Sequence, residues 1–271
     1  LGQNAEGVEV NVKRWVLLLV ILLGAMVRTS SAQTADAAHP VVIELFTSQG
    51  CSSCPPADQL LTQLGAADAG GVVPLSFHVD YWNHAGWTDP FSSHAWTERQ
   101  VEYMRAFRLE APYTPQAVVD GATQLVGSDA RELRAAIAAA QAKPAAGIAL
   151  RLAPDGSKVA VDADVDLPES LRGRRWELRV AVFETGLVTP VGKGENGGKT
   201  LHNDYVVRTL ASAGKVEKPA TLKTTVKLEK EWDRSHLGVA AFLQDPKTLE
   251  IRGAGVKLLA SGNGAPAAGT R

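Results

Sequence analysis

Residues 41–58 read VVIELFTSQGCSSCPPAD and contain both cysteines of the 271-residue chain, Cys51 and Cys54. No other stretch constrains the fold as much. Val41–Phe46 is a β-branched apolar run of the length of a buried strand. Ala57, Leu60, Leu61 and Leu64 then fall at i, i+3, i+4 and i+7, the stripe of an amphipathic helix, and Gly65 reads as its end. Val72–Val79 is a second strand-like run. Strand, short helix, strand predicts a βαβ unit with two parallel neighbouring strands and a right-handed crossover. The cysteine pair therefore falls where a strand ends and a helix begins. A thiol there meets unpaired backbone N–H groups and the positive end of the helix dipole, which favour its thiolate. This makes Cys51 the attacking thiol and Cys54, within reach of it, the resolving one. Pro55-Pro56 resists a helical conformation at the residue before each proline, so the helix is expected to start between Ser53 and Pro56.

The same pair has rival readings. His78, Asp80 and His84 follow the second strand, so a copper or zinc site using both cysteines and a histidine is an alternative. A third reading is a binding module with an inert disulfide. A purely structural staple is weak, because it would close a tiny loop and the stabilisation grows with loop length. C-type haem attachment is excluded, since Pro55 stands where the histidine must be. The expectation is a redox pair with neither metal nor cofactor.

Before this core, Lys13-Arg14, the apolar Trp15–Val27 and Ser30-x-Ala32 read as a secretory signal peptide over residues 1–32, cut after Ala32. The apolar run is short of the ~20 residues a bilayer span needs, so membrane contact is expected only before cleavage. Export to the periplasm or beyond would put the cysteines in an oxidising compartment. A net charge of −1 without a basic cluster argues against nucleic acid.

After the second strand, Ser92 or Ser93 caps a helix bearing Trp96, Tyr103, Met104 and Phe107, and Pro112 and Pro115 break the pattern. Gln116–Val119, Asp120-Gly121 and Thr123–Val126 form a tight hairpin, and Ser128 or Asp129 caps a last, Ala-rich helix to about Lys143. Residues 33–143 thus read as a β-α-β-α-β-β-α domain. Residues 144–260 change texture, with seven strand-like runs: Ile148–Leu152, Val159–Val165, Trp176–Glu184, Tyr205–Leu210, Thr221–Leu228, Leu237–Gln244 and Leu249–Leu258. They predict a β-sandwich of immunoglobulin type. Net charges of −6 over residues 33–143 and +3 over residues 144–260 favour docking of the halves. Residues 261–271 read as a disordered tail.

The C-x-x-C within a βαβ pattern is the arrangement of thioredoxin-like redox proteins. Thr114-Pro115, before the hairpin, resembles their cis-proline loop, whose backbone receives a substrate strand. Glu44 resembles their buried carboxylate that takes the resolving thiol's proton, with a solvent-facing glutamate as the competing reading. Trp82 and Trp87, in YWNHAGWTDPF (81–91), are candidates for a substrate platform, or else for a cap over the second helix. GKGENGGKT (192–200) lacks the glycine a phosphate loop needs at Lys193, and reads as a long hairpin loop. His202-Asn203-Asp204 reads as solvated loop polars, with a reach from the second domain to the face of the first as the other reading.

FTSQGCSSCPPAD (46–58), HVDYW with GWTDPFSS (78–93), RQVEYMRAF with YTPQAVVDG (99–121), GENGGKTLHNDYVVR (194–208) and VAAFLQDPKTLEI (239–251) together resemble an exported bacterial family, domain of unknown function 1223. The resemblance covers nearly the whole chain after residue 32. It implies a thioredoxin-like domain followed by a β-rich one, and gives Cys51, Cys54 and Pro115 the thioredoxin site roles. The expected function is an exported thiol–disulfide oxidoreductase acting on protein or peptide thiols and disulfides. No oligomeric state is implied.

Overall fold

Val41–Thr47 (β1) and Val72–His78 (β2) are buried along their whole length and pair in parallel, from Val41 opposite Val72 to Thr47 opposite His78. A strand can be apolar on both faces only if both are covered, and here they are. Val41, Ile43 and Leu45 pack on one side with Ala57, Leu60, Leu61 and Leu64 of α1 (Pro55–Ala67) and with Leu133, Ile137 and Ala140 of α3 (Ala130–Gln141). Val42 and Phe46 pack on the other side with Trp96 and Tyr103 of α2 (His94–Ala106). Ser93 and Asp129 cap α2 and α3 with their side chains, as the sequence suggested. The computed structural model describes residues 39–67 and 71–259. The signal-peptide segment and the tail from residue 261 lie outside these.

Helix α1 runs two residues past Gly65 rather than ending there. Glycine serves close approach at this position: a Cβ would lie 2.5 Å from the Tyr205 ring. After α2, β3 (Gln116–Val119) pairs antiparallel with β1, and β4 (Thr123–Val126) pairs with β3. Asp120 and Gly121 in their turn have φ of 45° and 61°, the left-handed pair a two-residue hairpin needs.

The seven later runs are strands, with the remaining boundaries shifted by a few residues. β5 (Gly147–Asp155), β6 (Lys158–Asp166) and β11 (Ala220–Lys227) form a three-stranded antiparallel sheet in the order β11-β6-β5. β7 (Trp176–Glu184), β10 (Val206–Val216), β12 (Leu237–Gln244) and β13 (Ile251–Leu258) are mutually antiparallel and face it. Between the two layers lie Val159, Val161, Ala163 and Val165 of β6 against Trp176, Leu178, Val180 and Val182 of β7. Period-2 alternation produces this sandwich-like core.

The sheet does not stop at residue 144. Val206 of β10 pairs in parallel with Ser76 of β2, so eight strands run in the order β13-β12-β7-β10-β2-β1-β3-β4. The opposite faces of β7 and β12 present Phe183, Ala240 and Phe242 to the core that holds Trp96 and Tyr103 of α2. The change of texture at 143/144 is therefore a change from helices to strands within one mixed sheet. Two further short strands escaped the sequence reading: β8 (Leu187–Pro190) and β9 (Thr200–Asn203) form a hairpin that carries the 191–199 loop and sets β9 against α1.

Candidate functional site

Cys51 and Cys54 form a disulfide with Cα atoms 5.5 Å apart, and both residues are 0% exposed. The Ser48 carbonyl accepts from Cys51 N at 3.1 Å and closes the turn out of β1. Helix α1 then starts at Pro55. The Cys54 carbonyl accepts from the amides of Ala57 and Asp58 at 2.9 and 3.1 Å. The two prolines occupy first-turn positions, whose N–H groups lack an intrahelical partner in any helix.

Thr114–Pro115 is a cis peptide. Pro115 lies near the head of α1: a Cβ added at Gly127 would touch Pro115 Cβ and Ala57 Cβ, both at 3.4 Å. Trp82 ties this loop to the cysteine turn. Its indole N–H donates to Thr114 Oγ1 at 2.8 Å, and its Cβ is 3.1 Å from where a Gly50 Cβ would stand. Trp87 donates its indole N–H to Gln49 Oε1 at 3.1 Å. The structure thus brings Cys51, Cys54, Thr114, Pro115, Trp82 and Trp87 together. Trp82 also packs against the α2 core, as a cap over the second helix would.

Glu44 is not part of that group. It sits on the α2 face of β1, accepting from Arg99 Nε at 2.7 Å and from the Tyr103 hydroxyl. Burial first, and then the Glu44 carboxylate, push the Tyr103 hydroxyl well above the usual phenol range. The carboxylate on the cysteine side is Asp58, one turn into α1 and 8% exposed. Burial, only partly offset by His78, pushes its carboxyl up to about 7. Thr47, Ser76 and His78 lie on the same, α1-facing side of β1 and β2. Asp58 Oδ1, Thr47 Oγ1, Ser76 Oγ and His78 Nε2 are all buried without a hydrogen-bond partner among the described residues. On its other nitrogen His78 meets Asp89 Oδ2 at 2.7 Å. Burial works against the His78 charge, but Asp89 outweighs it and raises the imidazole. Burial likewise opposes the Asp89 charge, but His78 outweighs it and lowers the carboxyl. Each partner of the buried pair thus favours the other's charged form.

Asp89 Oδ2 also accepts from Gln49 N at 2.8 Å, which fastens this pair to the turn before the cysteines. The Gln49 side chain donates from Nε2 to Thr189 at 3.0 Å and to Asn203 Oδ1 at 2.9 Å. Asn203 is buried and Asp204 accepts from Thr62 of α1 at 2.9 Å, so these two reach the cysteine half and are not solvated loop polars. The 191–199 loop does the same. Asn196 Nδ2 donates to the carbonyls of Gln49 and Cys51 at 2.9 and 3.0 Å, and Glu195 accepts from Ser52 N at 2.9 Å. The Cys₂His ligand set is not assembled: His78 is held by Asp89 and the cysteines by each other. Among the described residues no group of three or more His, Cys, Asp or Glu is arranged to hold a metal ion.

The family described as Protein of unknown function (DUF1223) matches residues 42–244, which span every residue of this site. The chain belongs to that family. A crystal structure of an Agrobacterium tumefaciens protein from a structural-genomics consortium is similar to this DUF1223 chain at 30% identity, covering 85% of it and 99% of that protein, with a TM-score of 0.68. HBP35 of Porphyromonas gingivalis shares the fold at 16% identity, over 86% of this chain and 79% of its own, with a TM-score of 0.61. No curated protein matches the chain.

The residues missed by the sequence reading had different visibility. Asp58 interrupts the apolar stripe three residues before Leu61, a legible sign of a carboxylate on a buried face. Gln49 and Asn196 carried no such sign, because the partners that tie them across the two halves are about 140 residues or more away in the chain.

Proposed function

We propose that this DUF1223 chain is an exported thiol–disulfide oxidoreductase with a thioredoxin-like site. The observation that carries the reading is a paired C-x-x-C at the mouth of α1 with the Thr114-Pro115 loop beside it, within the order β-α-β-α-β-β-α. The signal-like segment before residue 33 supports export.

In the reduced protein the Cys51 thiolate attacks a substrate disulfide. One substrate sulfur leaves as thiolate and Cys51 is joined to the other. Cys54, once deprotonated, attacks Cys51 Sγ, releases the second substrate thiolate and restores the Cys51–Cys54 disulfide. The same steps run backwards when the substrate is a dithiol, with direction set by the two potentials. Asp58, rather than Glu44, is suited to exchange the proton of Cys54. It lies one helical turn from Cys54, is buried with a free oxygen, and has a carboxyl tuned to about 7. Thr114, Trp82 and Trp87 frame the surface on which a substrate strand would lie beside Pro115.

The test is thiol trapping of the mature protein across a glutathione redox series, with Cys54→Ser beside it. The expected results are reversible titration of the pair within the physiological range, and a mixed disulfide that accumulates on Cys51 in the variant. A pair that stays oxidised throughout, with no mixed disulfide in the variant, sinks the proposal.

A further inference from the structure

The reading above needs an accessible sulfur, yet neither cysteine residue is exposed to solvent. One flank of the pair is the Trp82 loop and another is Pro115. The third is a segment from the far half of the chain. Residues 191–199 form a compact loop closed on itself: Val191 N donates to Lys199 O at 2.9 Å, Gly198 N to Val191 O at 2.8 Å and Gly197 N to Gly194 O at 3.0 Å. The loop is therefore held in shape by its own hydrogen bonds. It seats on the aromatic loop at Gly194 (φ 75°), where a Cβ would lie 3.2 Å from both the Ala85 carbonyl and Trp87 Cβ.

Its hold on the cysteine turn is narrow. The Asn196 carboxamide spans two carbonyls, those of Gln49 and Cys51, and its oxygen accepts from Lys199 Nζ at 2.9 Å. Asn196 is 0% exposed, so its head is fixed between the loop and the turn. Glu195 adds one exposed contact, to the amide of Ser52 between the two cysteines. That contact also takes an N–H from the very turn that would otherwise stabilise a Cys51 thiolate. No residue of this loop follows from the C-x-x-C spacing or the cis proline.

We propose that the 191–199 loop is a removable cover on the disulfide, latched by Asn196 and Glu195, and that Cys51 exchanges only when the latch opens. The proposal rests on the oxidoreductase reading for its biological purpose, but not for its test. Dithiothreitol is the probe. Its thiolate attacks Cys51 Sγ, the Cys51–Cys54 bond breaks, and Cys54 leaves with the electron pair and takes a proton. The second dithiothreitol sulfur, as thiolate, then attacks the first, releasing the Cys51 thiolate and leaving the cyclic oxidised reagent.

The rate of this reduction is measured in the mature protein, in Asn196→Ala and in Glu195→Ala, with unfolding temperature recorded for each. Asn196→Ala removes both hydrogen bonds to the cysteine turn, and the one from Lys199, without changing charge, and should speed reduction about tenfold or more. Glu195→Ala removes an exposed side chain and its contact with Ser52, and should speed it by roughly threefold to tenfold. At high reagent the parent rate should level off at the opening rate, and the variants should raise that ceiling or abolish it. Folded variants that react within twofold of the parent at every concentration overturn the cover. If Asn196→Ala fails to fold, Glu195→Ala alone decides by the same criterion. Faster variants in a protein that exchanges with no protein thiol or disulfide would leave the cover standing and remove the oxidoreductase reading alone.

Discussion

At the scale of single residues, two buried carboxylates on neighbouring elements have opposite fates. Glu44 faces a guanidinium and stays an ion pair with Arg99. Asp58 faces no guanidinium at hydrogen-bonding range, and burial keeps its proton on up to about 7. The groups acting on this corner are His78 of β2, Asp89 of the loop after it and Arg208 of β10. A carboxyl whose folded pKa lies above its unfolded value gives stability at low pH that is lost as pH rises through the folded value. Between the ordinary 3.8 and about 7 the loss is at most about 4 kcal/mol, at ~1.4 kcal/mol per unit. His78 is also raised, so its contribution to stability falls in the same direction. Asp58→Asn should remove the Asp58 share alone. Urea denaturation of the oxidised protein at pH 4.5 and pH 8 should show a smaller decline in the variant, with the gain appearing at pH 8. An unchanged decline would assign the buried titration to another group. The sequence placed a proton relay on β1, but the strand's alternation decides which face a carboxylate takes. Glu44 shares a face with Val42 and Phe46, towards α2, and the cysteines lie towards α1.

At the scale of elements, local pattern carried most of the information. The caps of α2 and α3, the Asp120-Gly121 hairpin and the seven longer strands are set by neighbours in sequence, and they were legible. Strands β8 and β9 were not, since four residues each, one ending in Pro190, give too short a period to register. The end of α1 was misread for a related reason. Gly65 signals a helix stop locally, while its actual cause is the ring of Tyr205, 140 positions later. This yields a prediction whose sign depends on background. Alanine normally gains about 1 kcal/mol over glycine within a helix. With Tyr205 present, Gly65→Ala should instead lower stability, because the ring has to be displaced. In a Tyr205→Ala background the same change should raise stability by up to about 1 kcal/mol. A double-mutant cycle by chemical denaturation reads both, and a loss of equal size in both backgrounds would mean that Tyr205 is not the obstacle.

At the scale of the whole molecule, the two textures of the sequence share one of the three cores. The link between β2 and β10 rests on one residue pair, Ser76 with Val206, reinforced by Ser76 N donating to the Tyr205 carbonyl at 2.8 Å. Nothing in either segment announces that pairing, because it is set by distant packing. Beneath it, Trp96 and Tyr103 of α2 share a core with Phe183, Val207, Ala240 and Phe242. Gln244 of β12 completes the Glu44 network by donating to the Tyr103 hydroxyl at 3.1 Å and accepting from Arg99 at 3.3 Å. A fragment ending at residue 143 would keep every element of the β-α-β-α-β-β-α order. It would also expose one side of α2's apolar face, leave β2 as an unpaired edge and remove a partner from the buried ion pair. Residues 33–143 expressed alone should therefore show no cooperative thermal transition, whereas residues 33–259 should show one. If the short fragment melts cooperatively near the temperature of the longer chain, the shared core contributes little and the halves fold independently. If it does not, the disulfide, the cis proline and the cover over them form one folding unit. The loop that latches the cysteines would then be as much a part of the site as the cysteines themselves.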